Sequence, residues 1–399
     1  MTSLDAPARG TRPRNRREIT IDVATELFYR EGYGRVSMSD IAEAMNVGAS
    51  ALYRHFPGKA ELLAACVSSG IDRYDEVLEA SEPDDDAQGR LNEVLRRLAE
   101  CAIDYRPLGV LWQREARNLP EPLQRELREH LRSTTGRLSS FFAATRPELD
   151  ASQVDVLAWC SMGVLVSIGF HSLDLPRQQF VDLLFGLVGT VATLPMPGDE
   201  ASNAVDTPAR GDESRRDALI TRATELFAER GFAATGIDEI GDAAGIAGPS
   251  VYSHFGSKQE ILVAAIDRAS ALLLADSAEI LDGPDSPRAK LSRLVDSYVR
   301  LADGDRFVLR TLLSEMGQLA AADREAARQR QRDYIDEWVG LLREFAPEDP
   351  IPARIRVQAV LLVVNDAVQT PHLRTRTGFD ATLARLARAL LGIIPERTT

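Results

Sequence analysis

The chain has 399 residues, a length that favours two or more domains. Hydrophobic residues make up 44 % and charged residues 27 %, which excludes disorder over the whole length. The net charge of −13 argues against a protein that coats nucleic acid or acidic membranes through overall positive charge, although it allows a local basic patch. Ala, Leu and Arg dominate and aromatic residues are only 6 %, a bias that favours helices over strands.

Cysteines and apolar runs give the expected compartment. The three cysteines lie far apart without a C-x-x-C pair, which argues against disulfides and zinc fingers and suits a reducing cytoplasm. The first residues have no apolar core, so we expect no signal peptide. The most apolar run, Val154 to Phe170, is shorter than the ~20 residues that a membrane span needs. We predict that it is a buried helix and that the protein has no membrane partner.

The sequence contains an internal duplication. When it is shifted by 199 positions, residues 16–67 align with residues 215–266 without a gap and with 18 identities in 52 positions. The segment Ala24-Thr-Glu-Leu-Phe28 falls on an identical segment at Ala223 to Phe227. Because the shift is half the chain length, we predict two copies of one domain.

A linker separates the two copies. Residues 195–214 have no apolar period and are rich in Pro, Gly, Asp and Ser, which is typical of a flexible tether. About twenty residues reach roughly 25 Å on average, enough to hold two copies side by side. The predicted domains are a basic arm at 1–17, N-terminal heads at 18–64 and 215–263, and helical bodies at 65–194 and 264–399 around that linker.

Every long segment within a copy has a helical apolar period, and alternating strand patterns are absent, so we predict an all-α fold. Ser37-x-x-Asp40 is a capping box that predicts the start of a helix. Further helices are predicted over Leu62–Leu78, Leu91–Ile103, Leu123–Phe142, Val154–Ser172 and Gln178–Thr193.

Each copy also contains the spacing of a helix-turn-helix motif. A helix that begins near the capping box ends at Asn46 in the first copy and at Gly245 in the second, and a short helix follows. Asn and Gly adopt the left-handed conformation that such a turn requires. In this motif the second helix enters the major groove of DNA, and its first residues meet base edges.

The motif resembles the TetR family of bacterial repressors. The resemblance rests on Ile-Ala-x-Ala-x-x-Val from Ile41 and on Leu-Tyr-x-His-Phe-x-x-Lys-x-Glu-Leu-Leu from Leu52, and the second copy repeats it. It covers about 50 residues per copy and implies a helical ligand-binding body behind each head. A closer resemblance, to the tandem TetR regulators of mammalian-cell-entry lipid-import operons, rests on Leu111-Trp-Gln-Arg-Glu-Ala-Arg117, on the Gly245–Pro249 turn and on the double length.

The candidate DNA-binding residues follow from this motif and from the arm. In the first copy they are Arg14, Arg16, Arg17, Ser37, Ala49, Ser50, Ala51, Tyr53, Arg54, His55 and Lys59. In the second copy they are Arg215, Arg216, Gly248, Pro249, Ser250, Tyr252, Ser253, His254 and Lys258.

Three pairs of these residues have alternative structural interpretations. The tyrosines at 53 and 252 donate a hydroxyl to a phosphate or are simply packed aromatics. Lys59 and Lys258 are two of only three lysines in the chain and occupy one repeat position, which indicates an ammonium aimed at a phosphate rather than a random surface charge. The histidines at 55 and 254 stabilise the short helix or touch the DNA backbone. We expect no metal, because no second ligand stands at metal spacing.

The two heads differ in charge and in reading residues. From Arg9 to Lys59 nine basic and six acidic residues give +3, whereas from Arg210 to Lys258 six basic and eight acidic residues give −2. The five arginines from Arg9 to Arg17 form an arm that could reach a minor groove, or an untethered basic tail. Arg54 can make two hydrogen bonds to guanine, and Ser253, at the same repeat position, cannot.

The bodies should bind a small molecule and pair with each other. The resemblance implies that the last two helices of each copy form one four-helix bundle, so that the chain is a pseudo-dimer without an obligate protein partner; pairing with a second chain is the alternative. The candidate effector residues are Trp112, Phe141, Phe142, Trp159, Met162 and His171 in the first body and Leu312, Met316, Tyr334 and Trp338 in the second. Such aromatic and Met stripes also occur as plain core, and a histidine near a helix end is structural by default.

No catalytic motif is present, and we expect no enzyme activity and no cofactor. The sequence predicts a ligand-responsive transcriptional repressor that binds double-stranded operator DNA with two unlike half-sites. A hydrophobic small molecule, such as a lipid, a sterol-like or an acyl compound, would release it. The alternatives are an architectural DNA-binding protein without an effector and a ligand-sequestering protein with a degenerate second head.

Overall fold

The computed structural model describes residues 16–80, 86–196, 214–304 and 306–393. These residues divide into two compact units, with the boundary between Gly189 and Thr190. All regular secondary structure in the described ranges is helical, and the all-α prediction is confirmed. The predicted arm up to residue 15, which includes Arg14, and most of the linker lie outside the described residues.

The first unit opens with three short head helices and continues into a helical body. Its helices are α1 (Arg16–Glu31), α2 (Met38–Ala44), α3 (Ala49–Leu52), α4 (Lys59–Glu79), α5 (Ala87–Asp104), α6 (Pro107–Val110), α7 (Glu121–Thr145), α8 (Ala151–Ser167) and α9 (Arg177–Ala192). A π-helical turn, Leu111–Glu115, and a 3₁₀ turn, Ala116–Asn118, extend α6.

The second unit repeats this order. Its helices are α10 (Arg215–Arg230), α11 (Ile237–Ala243), α12 (Gly248–Val251), α13 (Lys258–Asp282), α14 (Pro287–Gly304), α15 (Arg306–Glu315), α16 (Ala321–Phe345), α17 (Pro350–Gln369), α18 (Pro371–Arg374) and α19 (Phe379–Leu390). The head helices α10, α11 and α12 have the same lengths as α1, α2 and α3, and α16 has the 25 residues of α7. The duplication seen in the sequence is therefore a duplication of structure.

Side-chain caps start several of these helices. The Ser37 hydroxyl accepts a hydrogen bond from the Asp40 backbone N–H at 3.2 Å, and the Asp40 carboxylate accepts one from the Ser37 N–H at 2.7 Å. This is the predicted capping box, and it satisfies two backbone donors that a helix start leaves without partners. Asp150 caps α8 in the same reciprocal way with Gln153.

The apolar stripes form one core in each unit. In the first head Ala24, Phe28 and Ile41 are completely buried, and α1 packs on α2 and α4. In both bodies the helix after the head, α4 or α13, packs on the 25-residue helix, α7 or α16. The head is thus held on its own body through one continuous helix.

The observed helices differ from the predicted segments mainly at their ends. The helix predicted to reach Ser172 ends as α8 at Ser167, and a 3₁₀ turn continues to Phe170 before His171 takes an extended backbone. The segment Ala151–Phe170 is the one described helix apolar and long enough to cross a membrane, and 72 % of its apolar window is buried within the structure. It is the core helix that we predicted. The predicted pairing of the two bodies in a four-helix bundle stays a prediction.

Candidate nucleic-acid interface

The first head contains the predicted helix-turn-helix. Asn46 takes a left-handed backbone with φ of 56°, which turns the chain after α2. The turn is closed by the Val47 N–H, which donates to the Ala42 carbonyl at 2.9 Å, and Leu52 and Phe56 anchor α3 in the core. Gly48 is the N-cap of α3 and provides no side-chain hydrogen bond to its first turn.

The second head has the same turn made by a different residue. Gly245 replaces Asn46 with φ of 71°, and the Ile246 N–H donates to the Gly241 carbonyl at 2.9 Å. Val251 and Phe255 are buried and anchor α12. The two sequences therefore build one local geometry, and the differences between the heads lie in the side chains that they expose.

The tyrosines of the motif face solvent in both heads. Tyr53 is 53 % exposed and Tyr252 is 57 % exposed, values that set them apart from the buried aromatics around them. This exposure excludes the interpretation that they are packed core residues. His55 is exposed beside Tyr53, whereas His254 is half-buried.

The residue after each tyrosine differs in what it can offer. Arg54 is exposed, and within the described residues no hydrogen bond or ion pair engages its guanidinium. Ser253, at the same position of the second head, donates its hydroxyl to the Ser250 carbonyl at 2.7 Å. The first head thus presents an open bidentate donor, and the second presents a hydroxyl that is already bonded.

The remaining candidate positions are divided between surface and interior. Ser37, Ser50, Pro249, Ser250 and Arg215 are exposed, and Ala49, Ala51 and Arg16 are half-buried. Gly248 is buried and has no side chain. It therefore cannot read a base through a side chain, contrary to the prediction made from the sequence.

Arginines at the start of each head stack on its anchoring phenylalanine. The Arg17 guanidinium lies 5.4 Å from the centre of the Phe56 ring, and Arg216 lies 4.7 Å from that of Phe255. Both arginines are also exposed, so one face packs on the ring while the other is open to solvent. The cation is therefore held close to the recognition helix.

The structure corrects the expected orientation of the two paired lysines. The Lys59 ammonium donates to the Tyr33 carbonyl at 2.8 Å and to the Val36 carbonyl at 2.9 Å, and it lies 4.1 Å from the centre of the Tyr33 ring. Lys258 repeats these contacts with the carbonyls of Phe232 and Thr235. Two of the three ammonium protons thus bond to the loop before the helix-turn-helix. Only the third proton is left for the predicted phosphate contact.

Burial and charge act on the titratable groups around this loop. Partial burial lowers the pKa of Lys59, and the nearby Asp40 and Glu115 carboxylates counteract that effect. Hydrogen bonds from the Ser37 backbone and side chain lower the pKa of Asp40. The lowered pKa keeps the Asp40 carboxylate charged at neutral pH, close to the Lys59 side chain.

A carboxylate lies at the start of the second recognition helix. A methyl group on Gly248 would lie 1.8 Å from Oδ1 of Asp238, which explains why a glycine stands there. The first head has Ser39 at the position of Asp238 and Ala49 at that of Gly248. The second head therefore places a carboxylate where the first head has a hydroxyl.

Most cations of the second head are already paired. Arg230 lies 3.1 Å from Glu239, and Arg222 lies 2.8 Å from Glu225. Together with the stacked Arg216 and the bonded Lys258, these contacts leave little positive charge free on this head. The first head has comparable contacts, with Arg30 paired to Glu26 and Arg17 stacked on Phe56, so the described heads differ mainly at Arg54 and Asp238.

The candidate effector residues of the second body are buried. Tyr334 and Trp338 on α16 lie against Tyr298 on α14, with ring centres 5.9–6.4 Å apart in the three pairs. The Tyr298 hydroxyl donates to the buried Asn365 amide oxygen at 3.0 Å. Burial raises the pKa of both tyrosine hydroxyls. Sequence reasoning missed Tyr298 and Asn365, although a lone amide in the apolar run of α17 is a usable signal. Leu312 and Met316 are also buried, on α15 and directly after it.

The candidates in the first body divide into core and half-buried residues. Phe142 is fully buried and Met162 is 5 % exposed, so both belong to the core. Trp112, Phe141 and Trp159 are half-buried. His171 is half-buried in the loop after α8, where its Nδ1 accepts from the Leu173 N–H at 3.2 Å, which favours the structural role. Within the described ranges, no group of three or more His, Cys, Asp or Glu side chains is placed to hold a metal ion.

Comparison with known families identifies both heads. The model of bacterial regulatory proteins of the tetR family matches residues 21–66 and again residues 219–265. A tetracyclin repressor-like C-terminal domain matches residues 284–371, within the second body. The chain belongs to the TetR family. The head model matches this chain twice, which shows the tandem arrangement. The homologues of the chain are DNA-binding regulators of this family.

Individual relatives match one unit or one head. The transcriptional repressor KstR2 of Rhodococcus jostii is 27 % identical over 201 residues, which is 50 % of this chain and 95 % of that protein. The transcriptional activator FasR of Mycolicibacterium smegmatis is 33 % identical over 93 residues, 23 % of this chain and 42 % of the activator. A solved structure, the ketosteroid transcriptional regulator KstR2 of Mycobacterium tuberculosis, is 25 % identical, covers 47 % of this chain and 98 % of its own, and superposes with a TM-score of 0.38.

Proposed function

We propose that this TetR-family protein is a ligand-responsive transcriptional repressor that binds one operator with two unlike half-sites. The observation that carries the proposal is the pair of heads with one backbone geometry and different exposed side chains. Arg54 is open to solvent in the first head, and the Ser253 hydroxyl is bonded within the second. A repressor with two identical heads reads a site with two-fold symmetry, and no two-fold axis relates these surfaces.

The two heads of one chain take the place of the two subunits of a dimer. The duplicated units and the linker of about twenty residues support this pseudo-dimer. Asp238 in the second head and the open Arg54 in the first support a first head that contributes more of the affinity than the second. A degenerate second head, as in a ligand-sequestering protein, is the limiting case of this inequality.

We propose that the effector is a hydrophobic small molecule, which the protein binds without converting it chemically. A sterol-like or acyl compound is the candidate that the sequence predicts, and relatives named as transcriptional repressors of the KstR2 type support repression as the direction of control. The buried aromatic residues of the second body offer apolar and edge-on ring contacts for such a compound. The relative named as an activator makes activation the alternative direction of control.

One chain should suffice for one operator. A duplex selected by the wild-type chain from a randomised library, and checked against the DNA that flanks its own gene, supplies the probe. Native mass spectrometry of the complex should show the duplex plus one chain of 43.8 kDa, because both reading heads belong to that chain. A complex that always contains two chains would show that the heads pair between molecules.

Arg54→Ala should relax base discrimination in one half-site. A bidentate arginine–guanine pair contributes about 1–3 kcal/mol of discrimination, so one guanine position should lose its preference by that amount. The measurement is a binding scan over every single-base variant of the selected duplex, for wild type and mutant. The opposite half-site should keep its profile.

Ser253→Ala is the matched control for this scan. It changes the same repeat position in the other head and removes a hydroxyl that bonds within its own helix. We expect little change in base preference. A mirror-symmetric scan of the wild type, or a loss in both half-sites for Arg54→Ala, would contradict the two unlike half-sites.

The same probe separates the remaining alternatives. An architectural DNA-binding protein would keep its affinity in the presence of every sterol-like and acyl compound tested. A ligand-sequestering protein would bind such a compound and select no duplex at physiological salt. The repressor should bind such a compound and also select a duplex, and the compound should lower its affinity for that duplex.

A further inference from the structure

We propose that Glu115 and Glu315 are positioning residues through which each body fixes its own DNA-binding head. The inference rests on the proposed DNA-binding function. One contact between body and head occurs in both units, and no sequence motif predicts it. In the first unit Oε2 of Glu115 accepts a hydrogen bond from the Tyr33 backbone N–H at 2.9 Å. In the second unit Oε2 of Glu315 accepts one from the Phe232 N–H at 3.2 Å.

The backbone on the head side is shaped for this contact. Gly32 and Gly231 stand just before the two N–H groups, with φ of 84° and 83° and ψ of 147° and 154°. Glycine alone adopts that combination readily. It ends α1 or α10 abruptly, and the next N–H then meets the carboxylate rather than a helix carbonyl. The two glycines are identical in the repeat because the turn requires them.

The same two residues link the carboxylate to the helix-turn-helix. The Tyr33 carbonyl accepts from Lys59, whose ammonium also holds the Val36 carbonyl directly before the cap of α2. A chain of contacts therefore runs from Glu115 through one residue, Tyr33, to the lysine and on to the start of α2. The second unit repeats it from Glu315 through Phe232 to Lys258 and Thr235.

The glutamates stand where a rearrangement of the body would move them. Glu115 is the last residue of the π-helical turn, one turn after Trp112. Glu315 is the last residue of α15, one turn after Leu312 and next to Met316. These neighbours are candidate effector residues, and a π turn is a common feature of functional sites. A shift of this segment would withdraw the carboxylate and leave the head loop without its tether.

The two carboxylates differ in burial. Glu315 is completely buried, and Glu115 is half-buried. Oε1 of Glu315 also accepts from the Ser314 hydroxyl at 3.2 Å, but water cannot readily replace the Phe232 N–H at the buried Oε2, so this contact is the more costly one to break. The second head is therefore expected to be held more firmly on its body than the first, although it binds DNA less well.

Hydrogen exchange and DNA binding together test the proposal. Glu115→Leu and Glu315→Leu remove the acceptor and keep the apolar part of the side chain, whereas Glu115→Gln and Glu315→Gln keep a carbonyl that can accept. In the Leu variants the amide of Tyr33 or Phe232 should exchange about tenfold faster, and the affinity for the selected duplex should fall by a similar factor. The Gln variants should stay near wild type.

Each outcome is decisive. Unchanged exchange at Tyr33 and Phe232 in the Leu variants would overturn the proposal, and so would faster exchange with unchanged affinity. Equal losses in the Gln and Leu variants would also overturn it, since they would show that charge acts rather than the accepted hydrogen bond. If the wild-type chain selects no duplex, the proposed function fails, and the exchange measurement still decides whether the glutamates hold the heads.

Discussion

Trp338→Ala should lower the free energy of unfolding of the second unit by about 3–5 kcal/mol. Trp338 is fully buried, and its ring meets those of Tyr298 and Tyr334 edge-on. Its removal leaves a large cavity and also deletes two aromatic pairs. Urea unfolding followed by circular dichroism measures the loss. Hydrogen exchange by mass spectrometry should place the lost protection in α14, α16 and α17.

Trp159→Ala is the control for this experiment. Trp159 is half-buried in the first unit, so the same substitution removes less buried surface and should cost clearly less. If Trp338→Ala unfolds at the same urea concentration as wild type, the ring is not a core element. In that case the main role of Trp338 would be contact with the effector.

Lys59→Met should lower the free energy of unfolding of the first head by about 2–4 kcal/mol. The methionine fills similar space and donates no hydrogen bonds, so the carbonyls of Tyr33 and Val36 lose their partner. Contact with the Tyr33 ring contributes further. Thermal unfolding gives the total, and hydrogen exchange of residues 33–58 should show the loss within the head.

Arg54→Met removes the same charge from the same head and is the matched control. Its guanidinium has no described internal partner, so the stability should stay within about 0.5 kcal/mol of wild type while base discrimination falls. Equal destabilisation by both substitutions would show that net charge matters and that the bonds of Lys59 to the loop do not.

Local sequence accounts for the helix-turn-helix. The capping box of Ser37 and Asp40, the left-handed Asn46 or Gly245, and the apolar stripe that ends in Phe56 all act between residues close in the chain. Such patterns fix backbone geometry without any distant partner. For the same reason the long helices of the first body could be predicted within a few residues of their ends.

The roles of several site residues could not be predicted in this way. The paired lysines are visible in the repeat, but their spacing gives no sign that the ammonium turns inward to carbonyls 23 and 26 residues away. The place of Asp238 against Gly248 likewise depends on how α11 crosses α12. An exposed position and a buried one look alike in a single sequence when the residue is small or polar.

The sequence by itself determined that this protein is all-helical, duplicated and equipped with two unlike heads, because repeats, helical periods and charges are properties of contiguous residues. Only the tertiary structure decided which side chains remain open to DNA and which hold the heads in place. Glu115 meets the Tyr33 N–H across 82 residues of chain, and Tyr298 meets Asn365 across 67. These contacts form because packed helices bring their surfaces together, and side-chain direction at such a surface depends on the neighbouring helix.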